Sequence, residues 1–263
     1  MALPQDPPQP PQNPFPAVRS GLPWSAPFDW LRRGAADLRA CGLASLFYGI
    51  CFAAAGVLLW LAFRHAVQTV TAITTGFMLV GPCLALGLYE LSRRRESGEP
   101  LQLLPTLMVW RQNLGSIGIY SLILIVIYLV WARASLVIFA LFYQGGMPTL
   151  GSFIAQIAKF DNLEFLLAYL VVGSFFAGLV FAFSAVSIPM MLDRKQDTVT
   201  AMLGSFLALV RNLPAMLVWA ALIVLLTAIG FAVGFVGLIL TMPLVGHATW
   251  HAYRALIEPL PQQ

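Results

Sequence analysis

The fold is decided by the stretch Arg211–Arg254, which reads RNLPAMLVWAALIVLLTAIGFAVGFVGLILTMPLVGHATWHAYR. Two long apolar runs flank a segment that contains Gly230, Gly234 and Gly237, and charged residues occur only at the two ends. An apolar run of this length crosses a bilayer as a helix, because lipid offers no hydrogen-bond partner to an open backbone. The stretch therefore predicts a helical hairpin within a membrane.

The composition extends this interpretation to the whole chain. Of the 263 residues, 59% are hydrophobic and only 10% are charged, and the mean hydropathy is +0.82. Soluble domains carry about a quarter charged residues, so the composition excludes a soluble globular domain. The apolar stretches are also too long and continuous for the strands of a membrane barrel. The predicted class is an all-α membrane protein.

Six apolar stretches have about the length of a membrane helix. They lie at about 42–63, 70–91, 114–134, 165–192, 214–229 and 233–251. Short amphipathic helices are predicted on the membrane surface at 28–39, 101–111 and 198–211, and a further surface helix at 151–160 in the longest loop. In the first of them Phe28, Leu31, Ala35 and Leu38 recur at helical spacing. In the last, Asp197 or Thr198 is the candidate N-cap.

These segments suggest a threefold internal repeat over residues 28–95, 101–195 and 197–254. Each copy has an arginine before its first span and a proline near the inner end of its second span. The arginines are Arg39, Arg111 and Arg211, and the prolines are Pro82, Pro189 and Pro243. The fold class is thus six transmembrane helices in three hairpins, each preceded by a short interfacial helix. A chance match between leucine-rich segments is the alternative.

The ends of the chain differ from this six-span domain at 28–257. Residues 1–27 contain nine of the eighteen prolines and predict a disordered, partly polyproline tail. Residues 258–263 form a short C-terminal tail. Twelve of the fifteen lysines and arginines fall on the side that holds both termini. The positive-inside rule therefore predicts a multi-pass protein of a bacterial inner membrane with both termini in the cytoplasm.

The basic residues on that side form a predicted rim at the membrane interface, which we expect to contact the bilayer and its anionic lipid headgroups. Because these charges lie at the ends of apolar spans, they do not indicate nucleic-acid binding. The rim residues are Arg32, Arg33, Arg39, Arg93, Arg94, Arg95, Arg111, Arg194, Lys195, Arg211 and Arg254.

His247 and His251 are the candidate metal or haem ligands, because residues four apart lie on one face of a helix. The alternative is a pair of interfacial histidines beside Trp250, since the sequence offers no clear third ligand. Glu90 is the nearest carboxylate by repeat register, and we expect it to lie at the rim with Arg93 or Arg94.

No residue is predicted to be catalytic, and no cofactor is predicted. The chain lacks a nucleotide-binding or zinc-protease motif and a nucleophile with its base. The favoured hypothesis is a non-enzymatic accessory, assembly or scaffold protein that contacts another membrane protein or complex through its helices. A transporter or channel for a small or lipophilic molecule, and a haem- or metal-binding subunit using His247 and His251, are the alternatives.

Two runs carry a resemblance to a known family. They are Gly246-His-Ala-Thr-Trp-His-Ala-Tyr-Arg254 and Pro189-Met-Met-Leu-Asp-Arg194, which precedes the helix at 198–211. Over residues 17–257 the chain resembles a bacterial family of uncharacterised six-span integral membrane proteins, some members of which carry the label cytochrome c oxidase subunit. The resemblance implies membrane residence and six spans. It implies no activity, and the three histidines of the chain are too few for an oxidase core, whose ligands come from several helices.

Overall fold

The computed structural model describes residues 16–65, 67–142 and 163–259. The predicted surface helix at 151–160 and the first fifteen residues of the predicted tail lie outside these ranges. Within them the chain is helical, apart from one isolated antiparallel bridge between Val18 and Ile257. The helices are α1 (Ala26–Cys41), α2 (Leu43–His65), α3 (Val67–Glu96), α4 (Leu103–Thr106), a 3-10 helix (Val109–Asn113), α5 (Leu114–Phe142), α6 (Leu163–Ser184), α7 (Ser187–Arg194), α8 (Thr198–Arg211), α9 (Leu213–Ala232) and α10 (Leu238–Leu256).

Four segments of the described residues are long and apolar enough to cross a membrane. They are Leu43–Ala62, Leu103–Phe142, Leu163–Arg194 and Leu213–Ala232. They contain four of the six predicted spans. The other two predicted spans correspond to α3 and α10, which are continuous helices of 30 and 19 residues.

The predicted fourth span at 165–192 is divided into α6 and α7. The helix stops because the amide of Val186 donates to the Ser205 hydroxyl at 3.3 Å instead of to its own helix. Pro189 has no amide hydrogen and removes a further bond of the helical ladder. Pro105 has a comparable effect on the predicted helix at 101–111, which forms only the four-residue α4 and the 3-10 helix.

The helices pack most closely at one end of the bundle, which we call the basic end because Arg93, Arg194 and Arg254 lie there. The C-terminal half of α10 is its centre and packs against α1, α2, α3 and α9. Trp250 is 1% exposed at this end. Close approach of α1 to α10 depends on Gly34, since a Cβ there would lie 2.7 Å from the backbone nitrogen of Ala248.

Parts of the predicted apolar stripes of α1 and α8 are exposed, whereas Leu31 of α1 and Met202 of α8 pack against the core. In α1 the buried positions are Pro27, Trp30, Gly34, Asp37 and Cys41, whereas Phe28 of the predicted stripe is 50% exposed. In α8 the buried face consists mainly of small residues, and Val199 and Val210 are more than half exposed. Small residues on the protein side and large apolar ones outside are typical of helices whose surroundings are lipid.

Residues 16–25 are folded against the basic end, although the sequence places them in a tail. The amide of Arg19 donates to the carbonyl of Leu256 at 2.8 Å, and that of Glu258 to the carbonyl of Ala17 at 2.9 Å. Asn212, 1% exposed at the start of α9, holds this segment from the other side. Its side chain donates to the carbonyl of Arg19 at 2.7 Å and accepts from the amide of Leu22 at 3.0 Å.

The contact of α1 with α10 gives a testable prediction. Gly34→Ala should lower the free energy of unfolding by about 1–3 kcal/mol, because the added methyl overpacks the interface with α10. The matched control is Gly118→Ala in α5, where an added Cβ meets no atom within 4 Å. That change should be neutral or slightly stabilising, since alanine favours a helix by up to about 1 kcal/mol over glycine. Thermal unfolding in detergent measures both variants, and equal effects would contradict the tight contact.

Candidate functional site

A buried polar network joins four helices at the basic end and includes both candidate histidines. His247 on α10 has no exposed surface. Its Nε2 lies 2.8 Å from the Ser45 hydroxyl on α2, and its Nδ1 lies 2.7 Å from the Ser92 hydroxyl on α3. Ser92 lies 2.6 Å from the carboxylate of Asp37 on α1. Of the residues in this network, the sequence predicted only His247 and His251 as candidate ligands.

The ionised carboxylate of Asp37 fixes the direction of the bonds through Ser92. A carboxylate only accepts hydrogen bonds, so the Ser92 hydroxyl donates to it and accepts the proton of His247 Nδ1. A second charge on a fully buried ring is costly without a carboxylate in contact. His247 is therefore neutral, and its free Nε2 accepts the hydroxyl proton of Ser45.

Asp37 is the charged centre of the network and is 3% exposed. It forms an ion pair with Arg95 of α3, and its Oδ2 lies 2.9 Å from Nε2 of His251. Burial raises the pKa of the Asp37 carboxyl, but hydrogen bonds from His251 and Ser92 outweigh burial and hold it below the ordinary value of 3.8. The carboxylate is therefore the form that the folded chain prefers.

The order Ser45, His247, Ser92, Asp37 is that of a proton relay in which a histidine accepts the proton of a serine. Ser45 has no exposed surface in this arrangement, so a substrate does not reach its hydroxyl. These hydrogen bonds, which we call the relay, connect α1, α2, α3 and α10.

The two candidate metal ligands are engaged in hydrogen bonds. Both ring nitrogens of His247 face serine hydroxyls, and Nε2 of His251 faces Asp37. Among the described residues no group of three or more histidines, cysteines, aspartates or glutamates is arranged to hold a metal ion. The arrangement thus uses these histidines as hydrogen-bonding groups.

Glu90 lies at the rim as expected and is 1% exposed. Arg93 and Arg94 each donate to its carboxylate, with closest distances of 2.7 Å. It does not face His251, which pairs with Asp37 on another helix instead.

The rest of the predicted rim divides into paired and unpaired residues. Arg32 and Arg33 pair with Asp29 of their own helix at 2.7 Å, and Arg254 pairs with Glu96 at 3.0 Å. Arg194 donates to the Tyr253 hydroxyl at 3.0 Å, and Lys195 has a φ of 50° where α7 ends. Arg39, Arg111 and Arg211 are exposed and have no carboxylate partner among the described residues.

A second feature is a cavity of about 800 Å³ between α5 and α6 on one side and α9 on the other. Its lining runs from Tyr120 to Trp131 on α5, which corresponds to roughly 16 Å at the rise of an α-helix. The walls are almost wholly apolar and carry no charged side chain among the described residues. Ligand sites of about 300–1,000 Å³ with mostly apolar walls are typical of proteins.

The cavity has a buried part and an open side. Tyr120 and Trp219 line the buried part and are 1% and 0% exposed. Leu217 and Val224 of α9 also line the cavity but are 58% and 68% exposed, so the wall is open beside them. An added Cβ at Gly178 of α6 would meet no atom within 4 Å. The shape is that of a slot along the helices with a lateral opening.

Sequence analysis missed Asp37, Ser45 and Ser92. Of the three, only Asp37 is recognisable from the sequence, because it shares a face of α1 with Trp30 and Gly34, where a charge is costly without a partner. The two serines are not recognisable, since serine is common and His247 lies 155 and 202 residues away from them. The cavity depends on how the helices are placed, and no sequence motif indicates it.

Residues 69–193 match the model of a family described as predicted integral membrane protein (DUF2189). The match confirms the resemblance to an uncharacterised family of membrane proteins. It extends from α3 to α7 and does not include the run Gly246–Arg254 that contributed to the resemblance. None of the curated proteins and none of the solved structures matches the chain.

The polar network predicts the effect of removing its charge. Asp37→Asn should lower the free energy of unfolding at pH 7 by about 3 kcal/mol, since it leaves Arg95 and the relay without their carboxylate. The pKa of Asp37 is depressed in the folded chain, so its contribution is complete above the unfolded value and is lost as the pH falls through the folded one. The difference from wild type should therefore narrow below pH 3.8.

The control for this experiment is Asp29→Asn, which removes a carboxylate that is 37% exposed and paired on its own helix. Exposed pairs contribute about 0–1 kcal/mol, so this variant should stay close to wild type. Thermal unfolding in detergent at several pH values measures both. A penalty for Asp37→Asn no larger than that for Asp29→Asn would show that the network is not a stabilising centre.

Proposed function

We propose that this chain, whose residues 69–193 match a family of predicted integral membrane proteins, crosses the inner membrane six times and binds a lipophilic molecule in its cavity. The observation that carries the binding proposal is the apolar slot between α5, α6 and α9. Both termini face the cytoplasm in this proposal, and the three hairpins are copies of one unit.

The six-span arrangement is supported by the pairing of long helices. The helices α2 and α3, α5 and α6, and α9 and α10 pack in pairs. With both termini at the basic end, each pair runs away from that end and returns to it. The excess of arginine at this end supports a cytoplasmic location for it, by the positive-inside rule.

The repeat is supported by where its anchors lie. Arg39, Arg111 and Arg211 each lie in the last turn of a short helix that directly precedes a long one. Pro82 and Pro243 each lie inside the returning helix of their pair, and Pro189 follows the break between α6 and α7. The same local order thus occurs three times along the chain.

Binding of a lipophilic molecule fits the cavity better than passage of an ion. An ion needs polar or charged groups along its path, and the cavity presents almost none. A hydrocarbon chain needs no polar partner and would exchange contacts with lipid for contacts with the apolar walls. The indole nitrogen of Trp219, which lines the cavity, has no hydrogen-bond partner among the described residues and would stay unpaired. The lateral opening at Leu217 and Val224 gives such a molecule a route from the lipid.

The accessory or scaffold role of the sequence analysis stays a prediction, as does contact with another membrane complex. The exposed apolar faces of α1 and α8 are compatible with lipid or with partner helices. The haem or metal role for His247 and His251 gains no support from the hydrogen bonds that engage their nitrogens.

The topology is tested by cysteine labelling in intact cells. In a variant without Cys41, Cys51 and Cys83, Val236→Cys marks the turn between α9 and α10, and Ser97→Cys marks the segment after α3. A membrane-impermeant maleimide added outside should label Val236→Cys and should label Ser97→Cys only after lysis. Labelling of Ser97→Cys in intact cells would contradict the proposed orientation.

The cavity is tested with a palmitic acid analogue that carries a diazirine in mid-chain, added to the protein in nanodiscs. Labelling should concentrate on the α5, α6 and α9 peptides that line the cavity, and unlabelled palmitic acid should compete. Gly178 lines the cavity, and an added Cβ there meets no atom within 4 Å, so Gly178→Phe puts a large side chain at the wall of the slot. Because that side chain competes with the acyl chain for the same space, labelling of the lining peptides should fall.

The matched control is Gly118→Phe, which adds the same side chain to α5 where nothing lies within 4 Å and which does not line the cavity. The Gly118→Phe variant should be labelled by the diazirine analogue to the same extent as wild type. Uniform labelling of all lipid-facing helices, unchanged by Gly178→Phe, would show bulk lipid contact and not a binding site.

A further inference from the structure

The carboxylates at the basic end are almost fully used inside the protein. Six of them form ion pairs with arginines of the same end. They are Asp29, Asp37, Glu90, Glu96, Glu99 and Asp193, and their partners are Arg32, Arg33, Arg93, Arg94, Arg95 and Arg254. A further carboxylate, Asp197, caps α8 by accepting from the amide of Thr200 at 3.0 Å. Half of the predicted basic rim is therefore neutralised by the protein itself.

Arg39, Arg111 and Arg211 differ from the paired arginines. Arg39 has no bonded partner among the described residues, Arg111 lies over the ring of Trp110 at 5.5 Å, and Arg211 donates only to the backbone carbonyl of Val18 at 3.2 Å. All three side chains are exposed. Their positive charges are thus available to an external anion.

Each of these arginines lies directly before a long helix and beside an exposed leucine. Leu43 is 84% exposed four residues after Arg39, Leu114 is 55% exposed after Arg111, and Leu213 is 49% exposed after Arg211. A cation next to an exposed apolar side chain at a helix end corresponds to the boundary between headgroups and acyl chains. A molecule that contacts both the arginine and the leucine therefore has an anionic group attached to an apolar chain.

We propose that Arg39, Arg111 and Arg211 form three equivalent sites for the phosphate of an anionic phospholipid in the leaflet at the basic end. The exposed leucine selects a lipid over free phosphate, because it contacts the acyl chain below the headgroup. This proposal does not depend on the cavity.

Native mass spectrometry of the detergent-solubilised protein tests the sites with dioleoyl phosphatidylglycerol and dioleoyl phosphatidylcholine. Wild type should retain up to three phosphatidylglycerol molecules in preference to phosphatidylcholine. Arg39→Gln, Arg111→Gln and Arg211→Gln should each remove one bound lipid and weaken binding about fivefold per arginine. Lysine at the same positions should keep most of the binding, because the charge is retained.

The control is Arg33→Gln, which removes an arginine that is 61% exposed but already paired with Asp29. It should leave the number of bound lipids unchanged. Inorganic phosphate in excess should not displace the lipid. Equal binding of the two lipids, displacement by phosphate, or an equal effect of Arg33→Gln would each overturn the proposal. Arg211→Gln also removes a bond to Val18 and could lower the unfolding temperature. In that case the Arg39→Gln and Arg111→Gln variants decide the proposal.

Discussion

The structure depends on one buried carboxylate. Asp37 lies on a short helix outside the apolar spans, yet it is nearly inaccessible and binds Arg95, Ser92 and His251. In lipid the hydrophobic effect does not drive one helix onto another, so close packing and hydrogen bonds must do so. Asp37 supplies those bonds where α1, α3 and α10 meet, and the relay through His247 extends them to α2. Because His247 stays neutral, the network adds a fourth helix without burying a second charge.

This constraint explains why the two ends of the bundle differ. At the basic end the helices are held by polar contacts and by glycine contacts such as that of Gly34 with Ala248. Towards the other end, side chains such as Val224 and Phe175 are mostly exposed and face lipid. The helix α9 is held to α10 and α1, and the slot lies between it and α5 and α6. The cavity therefore lies where, in the described part of the chain, no polar contact draws α9 against α5 and α6.

The sequence predicted the positions of the helices better than it predicted which side of each helix is buried. The six long helices lie where the apolar stretches predict them, Asp197 caps α8, and Glu90 pairs with Arg93 and Arg94. These features depend on neighbours in sequence. The predicted surface helices α1 and α8 expose Phe28, Val199 and Val210, as helices at a membrane interface do, but the burial of Asp37 on α1 was not predicted. The relay was not foreseen because its members, at positions 37, 45, 92 and 247, meet only in the folded chain.

On the proposed repeat register, the relay is also where the three copies differ most. His247 and His251 of the third copy correspond to Leu86 and Glu90 of the first, so equivalent positions carry a hydrogen-bonding ring in one copy and an apolar or acidic side chain in the other. Asp37 corresponds to Val109 and Leu209, and only the first copy has the carboxylate. The first and third hairpins are thus joined through Asp37. The middle segment at 101–195 is joined to the third at its end, where Asp193 accepts from the Tyr253 hydroxyl at 2.6 Å and lies 3.8 Å from Arg254. Along α5 it is joined by the neutral bond of Thr198 to the carbonyl of Ser116 at 2.8 Å. All of these polar contacts except the bond of Thr198 lie at the basic end, and farther along the helices the contact of α9 with α5 and α6 is looser. The cavity lies along that contact.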